Sequence, residues 1–414
     1  MNRLKSFISI FITIIMLVML FNFPAAANGV SAPEKLREPD GGAIGVASKG
    51  LWREYPENSL EGIAAAAKTG IDFVLADLKF TSDGTAVLFS DDSGERMLGT
   101  NKAICDMSYA ELSGLKLKDG CGGISAEYTQ YTVPTLEAAL KAAKAGGFYL
   151  MLSVSAGDIA AVTQILCENA ALESTPLLID ADYKEIKAQT DSLAQKPMII
   201  GVKRSNVIFS VNSYVNKMYE NGAVGVNLKT TNRYGVNFRN GVLGGFEGRL
   251  RAAANTAQAE TCGAREDSEK WWNDLISRGY SIIITNEPEL FCDYMSRTSA
   301  AKAALSSLYK KYTDEWKLPE FKSEIFNDYK KAYTDAVSDA AALLSDNASA
   351  LSDISDCTAA LQKAVDNIKL NYEALQNGTA GVSVTPVRIM LCAAAAAAVI
   401  AVQIFFFKKR KKAN

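Results

Sequence analysis

The 414-residue chain contains no histidine. That removes the side chain whose ordinary titration range lies around neutral pH, and it excludes mixed Cys/His zinc sites. Cysteine is present but scattered: seven residues, none in a Cys-x-x-Cys pair, so nothing points to a zinc ribbon. Cys392 lies in an apolar stretch near the C-terminus; the other six are Cys105, Cys121, Cys167, Cys262, Cys292 and Cys357. Cys105 and Cys121 flank a loop, and two readings stand: a bridge between them in an oxidising compartment, or separate buried thiols. No Gly-rich phosphate loop or dinucleotide fingerprint occurs, and no Leu-Pro-x-Thr-Gly precedes the C-terminal apolar stretch, so sortase attachment is not supported. An excess of positive charge is missing too. The formal net charge is −2, and setting aside the eight basic residues of the two end segments (Arg3, Lys5, Arg388 and five in the tail) leaves −10 for the rest. An acidic body of this kind does not fit a nucleic-acid partner.

The ends of the chain are the most apolar parts. Arg3 and Lys5 precede an uncharged, mainly apolar run from Phe7 to Phe21, interrupted by Ser9 and Thr13, and Ala25-Ala26-Ala27 follows. This reads as a secretory signal peptide over residues 1–27. Residues 389–407 are long enough to cross a bilayer, with Gln403 as the single polar interruption. Lys408-Lys409-Arg410-Lys411-Lys412 comes directly after, and such a cluster stays on the cytoplasmic side. The expected topology is a single-pass membrane protein with its body outside, a linker over 376–388, a transmembrane helix over 389–407 and a basic cytoplasmic tail over 408–414.

Between the ends, β-rich runs alternate with helical stretches. Strands are expected at Ala43–Ser48, Phe73–Lys79, Thr85–Ser90, Phe148–Ser155, Pro176–Ile179, Met198–Val202, Gly222–Leu228, Leu250–Ala254 and Ser281–Thr285. Several are almost wholly apolar, as strands covered on both faces are. Alternation over about 250 residues suits an α/β fold, a (β/α)8 TIM-type barrel. Nine candidates compete for eight places. After Tyr294 the composition shifts to Ala, Lys, Asp, Tyr and Leu at helical spacing. Phe321, Ile325, Tyr329, Ala332 and Ala336 make one apolar stripe, and Leu361, Val365, Ile368 and Tyr372 make another. With Ala303–Tyr312 this gives a small all-α bundle or stalk. The domains expected are the barrel over 28–297 and the three-helix bundle over 298–375.

Short motifs mark the ends of the first three strands. The first ends in Ser48-Lys49-Gly50, then comes Pro56-Glu57-Asn58-Ser59. The second carries Leu75-Ala76-Asp77 ahead of Asp83-Gly84, and the third ends in Ser90-Asp91. The frame resembles the glycerophosphodiester phosphodiesterase family, which has His-Arg-Gly, Pro-Glu-Asn-Thr, Glu-x-Asp with Asp-Gly, and His-Asp at these points. Pro134-Thr135-Leu136-Glu137 and the closing Gly279–Pro288 run resemble the family as well. The helical segment is similar to a FIVAR-type repeat of bacterial surface proteins.

The family resemblance implies two histidines for acid and base, an arginine on the phosphate and a metal held by three carboxylates. Here the catalytic positions are occupied by Ser48, Lys49 and Ser90. Leu75, Asp77 and Lys79 share an inward-facing parity on the second strand. The metal positions are then occupied by Leu75, Asp77 and Ser153, with Ser155 in place of a lysine. One carboxylate beside a lysine does not supply the oxygen shell a hard divalent cation requires. The expectation is therefore no metal and no cofactor, with Asp77 and Lys79 paired to each other. Asn58 is expected to cap the helix Leu60–Lys68, with Glu61 completing a capping box. A polar, partly basic mouth remains, formed by Lys49, Arg53, Glu57, Asp77 and Lys79. It suits weak contact with a phosphorylated polyol or a wall polymer, while the span contacts membrane lipid. The reading is a surface-exposed, membrane-anchored relative of these phosphodiesterases that binds or scaffolds without catalysis. The alternative is an active phosphoric diester hydrolase of lipid metabolism, acting on glycerophosphodiesters or glycerol-phosphate polymers through a rearranged site.

Overall fold

The computed structural model describes residues 30–203, 208–228, 240–257, 267–316, 318–319 and 324–376. The expected signal peptide, transmembrane helix and basic tail lie outside the described residues, as does the linker from 377 onward. Among the described residues no helix is long and apolar enough to cross a membrane.

Among the described residues nine strands form one sheet: β1 (Ile44–Ser48), β2 (Phe73–Phe80), β3 (Ala86–Leu88), β4 (Leu150–Val154), β5 (Leu177–Ile179), β6 (Ile199–Lys203), β7 (Gly225–Leu228), β8 (Arg251–Asn255) and β9 (Tyr280–Thr285). Their order is β1-β9-β8-β7-β6-β5-β4-β2-β3, and β1 also pairs with β2. Eight of them make the parallel barrel. The ninth candidate is thereby placed: β3 runs antiparallel to β2, with Leu78 opposite Leu88 and Phe80 opposite Ala86, and forms a hairpin outside the barrel. The connection Thr81–Thr85 explains this. It is too short for the crossover a parallel partner needs, and Gly84, at φ 78°, turns the chain back.

The chain divides into two compact units. The first, built around Val46–Asp180, holds β1 from Val46 onward and β2 to β5. Its parallel register sets Ser48 opposite Leu75 and Asp77 opposite Ser153. β1 is buried along its whole length, in keeping with its apolar sequence. Between β3 and the helix Leu136–Gly146 the chain makes an excursion with a core of its own, from Val87, Phe89, Met97, Leu98, Ile104, Met107, Leu112, Leu117 and Val133. That excursion has no counterpart among the expected elements. Cys105 and Cys121 both lie in it as free, exposed thiols, so the bridge does not form, and neither thiol is buried as the other reading required. Their surroundings differ: Cys105 Sγ lies 3.9 Å from Asp106 Oδ1, while Cys121 borders Glu57.

The second unit, from Ile200 onward with a few earlier residues, holds the parallel strands β6 to β9 and the helical bundle. The bundle core draws on three helices through Leu305, Tyr312, Ala336, Ala340, Ile354, Leu361, Ala364 and Val365. The stripe Leu361, Val365, Ile368 is buried as expected. On the helix Glu324–Ser345 the stripe is rotated: Ala332 is exposed, and Tyr333, Ala336 and Ala340 face the core. A small Ala332 yields the inner face to larger Tyr333. Phe321 and the Ile325 side chain lie outside the described residues. The expected boundary at 297/298 falls inside one continuous helix, Pro288–Lys310. The bundle is also tied back to the barrel helix Glu269–Ile276. Asn273 Oδ1 accepts from the amide of Ser352 at 3.0 Å, and the Tyr294 hydroxyl accepts from that of Leu351 at 3.3 Å. These are N-terminal amides of the helix Leu351–Gln376 that have no partner within it.

Candidate functional site

The motifs read at the strand ends meet in the first unit. β1 ends at Ser48, and the next two residues take left-handed backbone, Lys49 at φ 60° and Gly50 at φ 82°. Only glycine fits the second place, since a Cβ there would lie 2.6 Å from the carbonyl carbon of Gly62. For Lys49 the conformation costs about 1 kcal/mol. Two backbone hydrogen bonds hold it: its own amide donates to Leu75 O at 2.7 Å, and Asn58 N donates to Lys49 O at 3.0 Å. Asn58 is left-handed as well, at φ 58°.

Asn58 is not the helix cap. Ser59 takes that role, its Oγ accepting from Gly62 N at 3.1 Å, which puts Glu61 one position short of a capping box. Asn58 is instead buried at the mouth. Its Oδ1 accepts from the amide of Asp77 at 3.1 Å, and its Nδ2 donates to Ser90 Oγ at 2.9 Å. Ser90 in turn donates to Asp77 Oδ2 at 2.7 Å. One asparagine thus joins the Pro56–Ser59 turn, the middle of β2 and Ser90, two residues past the end of β3.

The charged groups also pair differently from the expectation. Asp77 does not pair with Lys79; its Oδ2 faces Lys49 Nζ at 3.5 Å. Lys79 reaches Asp92. Asp77 and Lys79 share a strand face, but the residues following β3 bring closer partners to each. Lys49 Nζ also lies 3.5 Å from Glu57 Oε1, and Glu57 is only 3% exposed. Arg96 was not legible as a site residue. Its Nη2 lies 2.5 Å from the same Glu57 oxygen, its Nε 2.7 Å from Asp91, and its Nη1 donates to Cys121 O. The hydrogen-bonded excursion delivers it, and the i, i+5 spacing of Asp91 and Arg96 was the one available signal. Leu75 is buried, while Ser48 ends β1 at 7% exposure. Arg53 lies on the exposed rim, its guanidinium 4.5 Å from the Trp52 ring.

Titration follows these contacts. The hydrogen bond and charge of Lys79 hold Asp92 below the usual carboxylate range. Partial burial pushes Asp158 upward, against the pull of Lys79. Partial burial and the Glu57 carboxylate together push the Cys121 thiol up to about 11.

The arrangement does not fit a divalent metal. Among the described residues no three His, Cys, Asp or Glu side chains come together as ligands. The register places Ser153 opposite Asp77 where a second carboxylate would be needed, and an ammonium stands between the two carboxylates that do approach each other.

Residues 49–198 match the model of the glycerophosphoryl diester phosphodiesterase family. Glycerophosphodiester phosphodiesterase 1 of Mus musculus is 32% identical over 96 residues, 23% of this chain and 28% of the mouse protein. The Homo sapiens protein of that name is 36% identical over 70 residues, 17% of this chain and 21% of the human one. The matches therefore span less than a third of these relatives' own length. A crystal structure of a glycerophosphoryl diester phosphodiesterase from Parabacteroides distasonis superposes with a TM-score of 0.53 at 19% identity, over 64% of this chain and 92% of that one. At that identity the likeness concerns the fold. The match over residues 49–198 and the likeness of fold agree with the resemblance that the strand-end motifs carry.

Proposed function

We propose that this protein is a membrane-anchored, surface-exposed relative of the glycerophosphodiester phosphodiesterases whose barrel binds or scaffolds without catalysis. The observation that carries the reading is the pairing of charges at the mouth. Lys49, Lys79 and Arg96 are each ion-paired, and their partners are four carboxylates, Glu57, Asp77, Asp91 and Asp92. An incoming phosphodiester meets no uncompensated cation in this set. Ser48 and Ser90 stand where proton-transfer groups are implied, and a positioned general base is worth roughly 10²–10⁴-fold in rate. Arg53 at the rim, with Lys49 and Lys79 behind it, suits weak contact with a phosphorylated polyol or glycerol-phosphate wall polymer. The apolar run 389–407 with its basic tail supports anchoring with the barrel outside. Protease added to intact cells should then shed the barrel; cleavage of the tail from outside would reverse the orientation.

Hydrolysis by a rearranged site is the second reading, and one observation favours it. Ser90 Oγ donates to Asp77 Oδ2 at 2.7 Å, a hydroxyl–carboxylate pair within proton-transfer reach. The test is hydrolysis of glycerophosphocholine and of polyglycerol phosphate by the purified full chain in detergent, with Mg²⁺, with Ca²⁺ and with neither. No turnover above background is expected. Turnover that disappears in Ser90→Ala or Asp77→Ala would replace the first reading with the second.

A further inference from the structure

Lys49 combines three features. It has left-handed backbone without being glycine. That backbone is held from two sides, through Leu75 O and Asn58 N. Its ammonium lies 3.5 Å from Glu57 and 3.5 Å from Asp77, two carboxylates on different segments. Non-glycine residues in this region of backbone space persist where their surroundings over-determine them, and they gather at functional positions. Here the strained turn delivers one positive charge between two acids.

We propose that the Lys49 ammonium is the resident cation of this mouth and does the bridging work that would otherwise fall to a divalent ion, which closes the site to divalent metals. A calcium ion binds carboxylate oxygens at roughly 2.3–2.6 Å. An ion on the oxygens of Glu57 and Asp77 would lie within a few ångströms of the ammonium, and like charges at that range in a partly buried site repel strongly. Metal and Lys49 therefore compete for the same two carboxylates. Once the charge at 49 is removed, Glu57 and Asp77 are left facing each other with only Arg96 to offset Glu57, and the cheapest relief is a cation from solution. Asn58 and Ser90, already at hydrogen-bond distance from the backbone and side chain of Asp77, keep that carboxylate oriented for it.

The inference builds on the non-catalytic reading but fails separately from it. Metal-independent hydrolysis by the natural protein would end that reading and leave the role of Lys49 standing. The experiment is thermal unfolding of the full chain in detergent, with and without about 10 mM CaCl₂. The natural protein and Lys49→Arg should move by less than about 1 °C. Lys49→Met should melt lower than the natural protein without calcium and recover by about 3 °C with it. Adding Asp77→Asn to Lys49→Met should raise the calcium-free melting temperature and abolish the calcium response. A calcium response of the natural protein, or a folded Lys49→Met that does not respond, overturns the proposal. If Lys49→Met alone does not fold, the double variant decides. With one carboxylate neutralised the mouth no longer needs a cation, so the double variant should fold. Its failure to fold would show that Lys49 serves packing rather than charge.

Discussion

Two clusters centred on carboxylates tie strand ends together in this protein, one in each compact unit, and they are built from opposite materials. In the second unit the donors to Asp267 among the described residues are all uncharged. Thr256 Oγ1 lies at 2.7 Å and Trp272 Nε1 at 2.8 Å from Oδ1; Thr285 Oγ1 lies at 2.8 Å and the Asn286 amide at 2.5 Å from Oδ2. In the first unit Glu57, Asp77, Asp91 and Asp92 are balanced mainly by lysines and an arginine. Neutral donors with fixed directions make a rigid joint that salt barely touches. Charged side chains hold by Coulomb attraction, which added ions screen and which protonation removes. The cluster of the second unit behaves as a fastener, and that of the first responds to salt and to protonation.

The largest effect expected is from Asp267→Ala. It strands the Trp272 indole, the Asn286 amide and the fully buried Thr285 hydroxyl, while Thr256 keeps Ile284 O as an acceptor at 2.8 Å, and should cost about 3 kcal/mol in denaturant unfolding. Raising the ionic strength should leave that deficit unchanged. Glu57→Gln should cost less, about 2 kcal/mol, because its partners Lys49 and Arg96 are about a third exposed and water partly takes over. This second deficit should shrink with added NaCl. If the two variants respond to salt alike, the contrast between the clusters is wrong.

A smaller effect reports on Glu57 directly. Because partial burial of the otherwise exposed Cys121 and the Glu57 carboxylate push its thiol up to about 11, its alkylation by iodoacetamide should be slow at neutral pH and accelerate into the alkaline range. Glu57→Gln removes a negative neighbour, lowers that pKa and should speed alkylation at fixed pH. Peptide-resolved mass spectrometry of Cys121 gives the rates, and an unchanged rate would detach the thiol from the network. The smallest effect concerns Asp92, held below its ordinary value of about 3.9 by Lys79. A depressed folded pKa means that the pair's contribution is present above that ordinary value and lost as pH falls through the folded one. Asp92→Asn should flatten the acid limb of the stability curve below about pH 4 and change nothing at neutral pH. A difference at pH 7 as large as that at pH 3 would mean the pair acts through packing.

Much of this molecule is legible in the chain itself. Buried parallel strands are runs such as Ile44–Ser48 and Tyr280–Thr285, whose apolar composition leaves them few alternatives, and every expected strand segment is present. The inward parity of Asp77 follows from the two-residue repeat of a strand, and its place beside Ser153, which the family resemblance implied, is borne out by the register. The loss of histidine at the implied acid and base positions is a fact of composition and needs no coordinates. What tertiary structure decided is partnership. Asp77 and Lys79 are two residues apart on one strand, yet each is paired by a residue from another segment, because ion pairs form between groups that folding delivers to within a few ångströms, whatever their spacing in sequence. Arg96 rides on an excursion whose core of scattered residues carries no period. Asn58 became a hub instead of a cap because its left-handed backbone turns the side chain toward β2 and Ser90. Local pattern determined the frame, since burial and periodicity are properties of single segments; only the folded chain decided which charges meet, and with them what the mouth can bind.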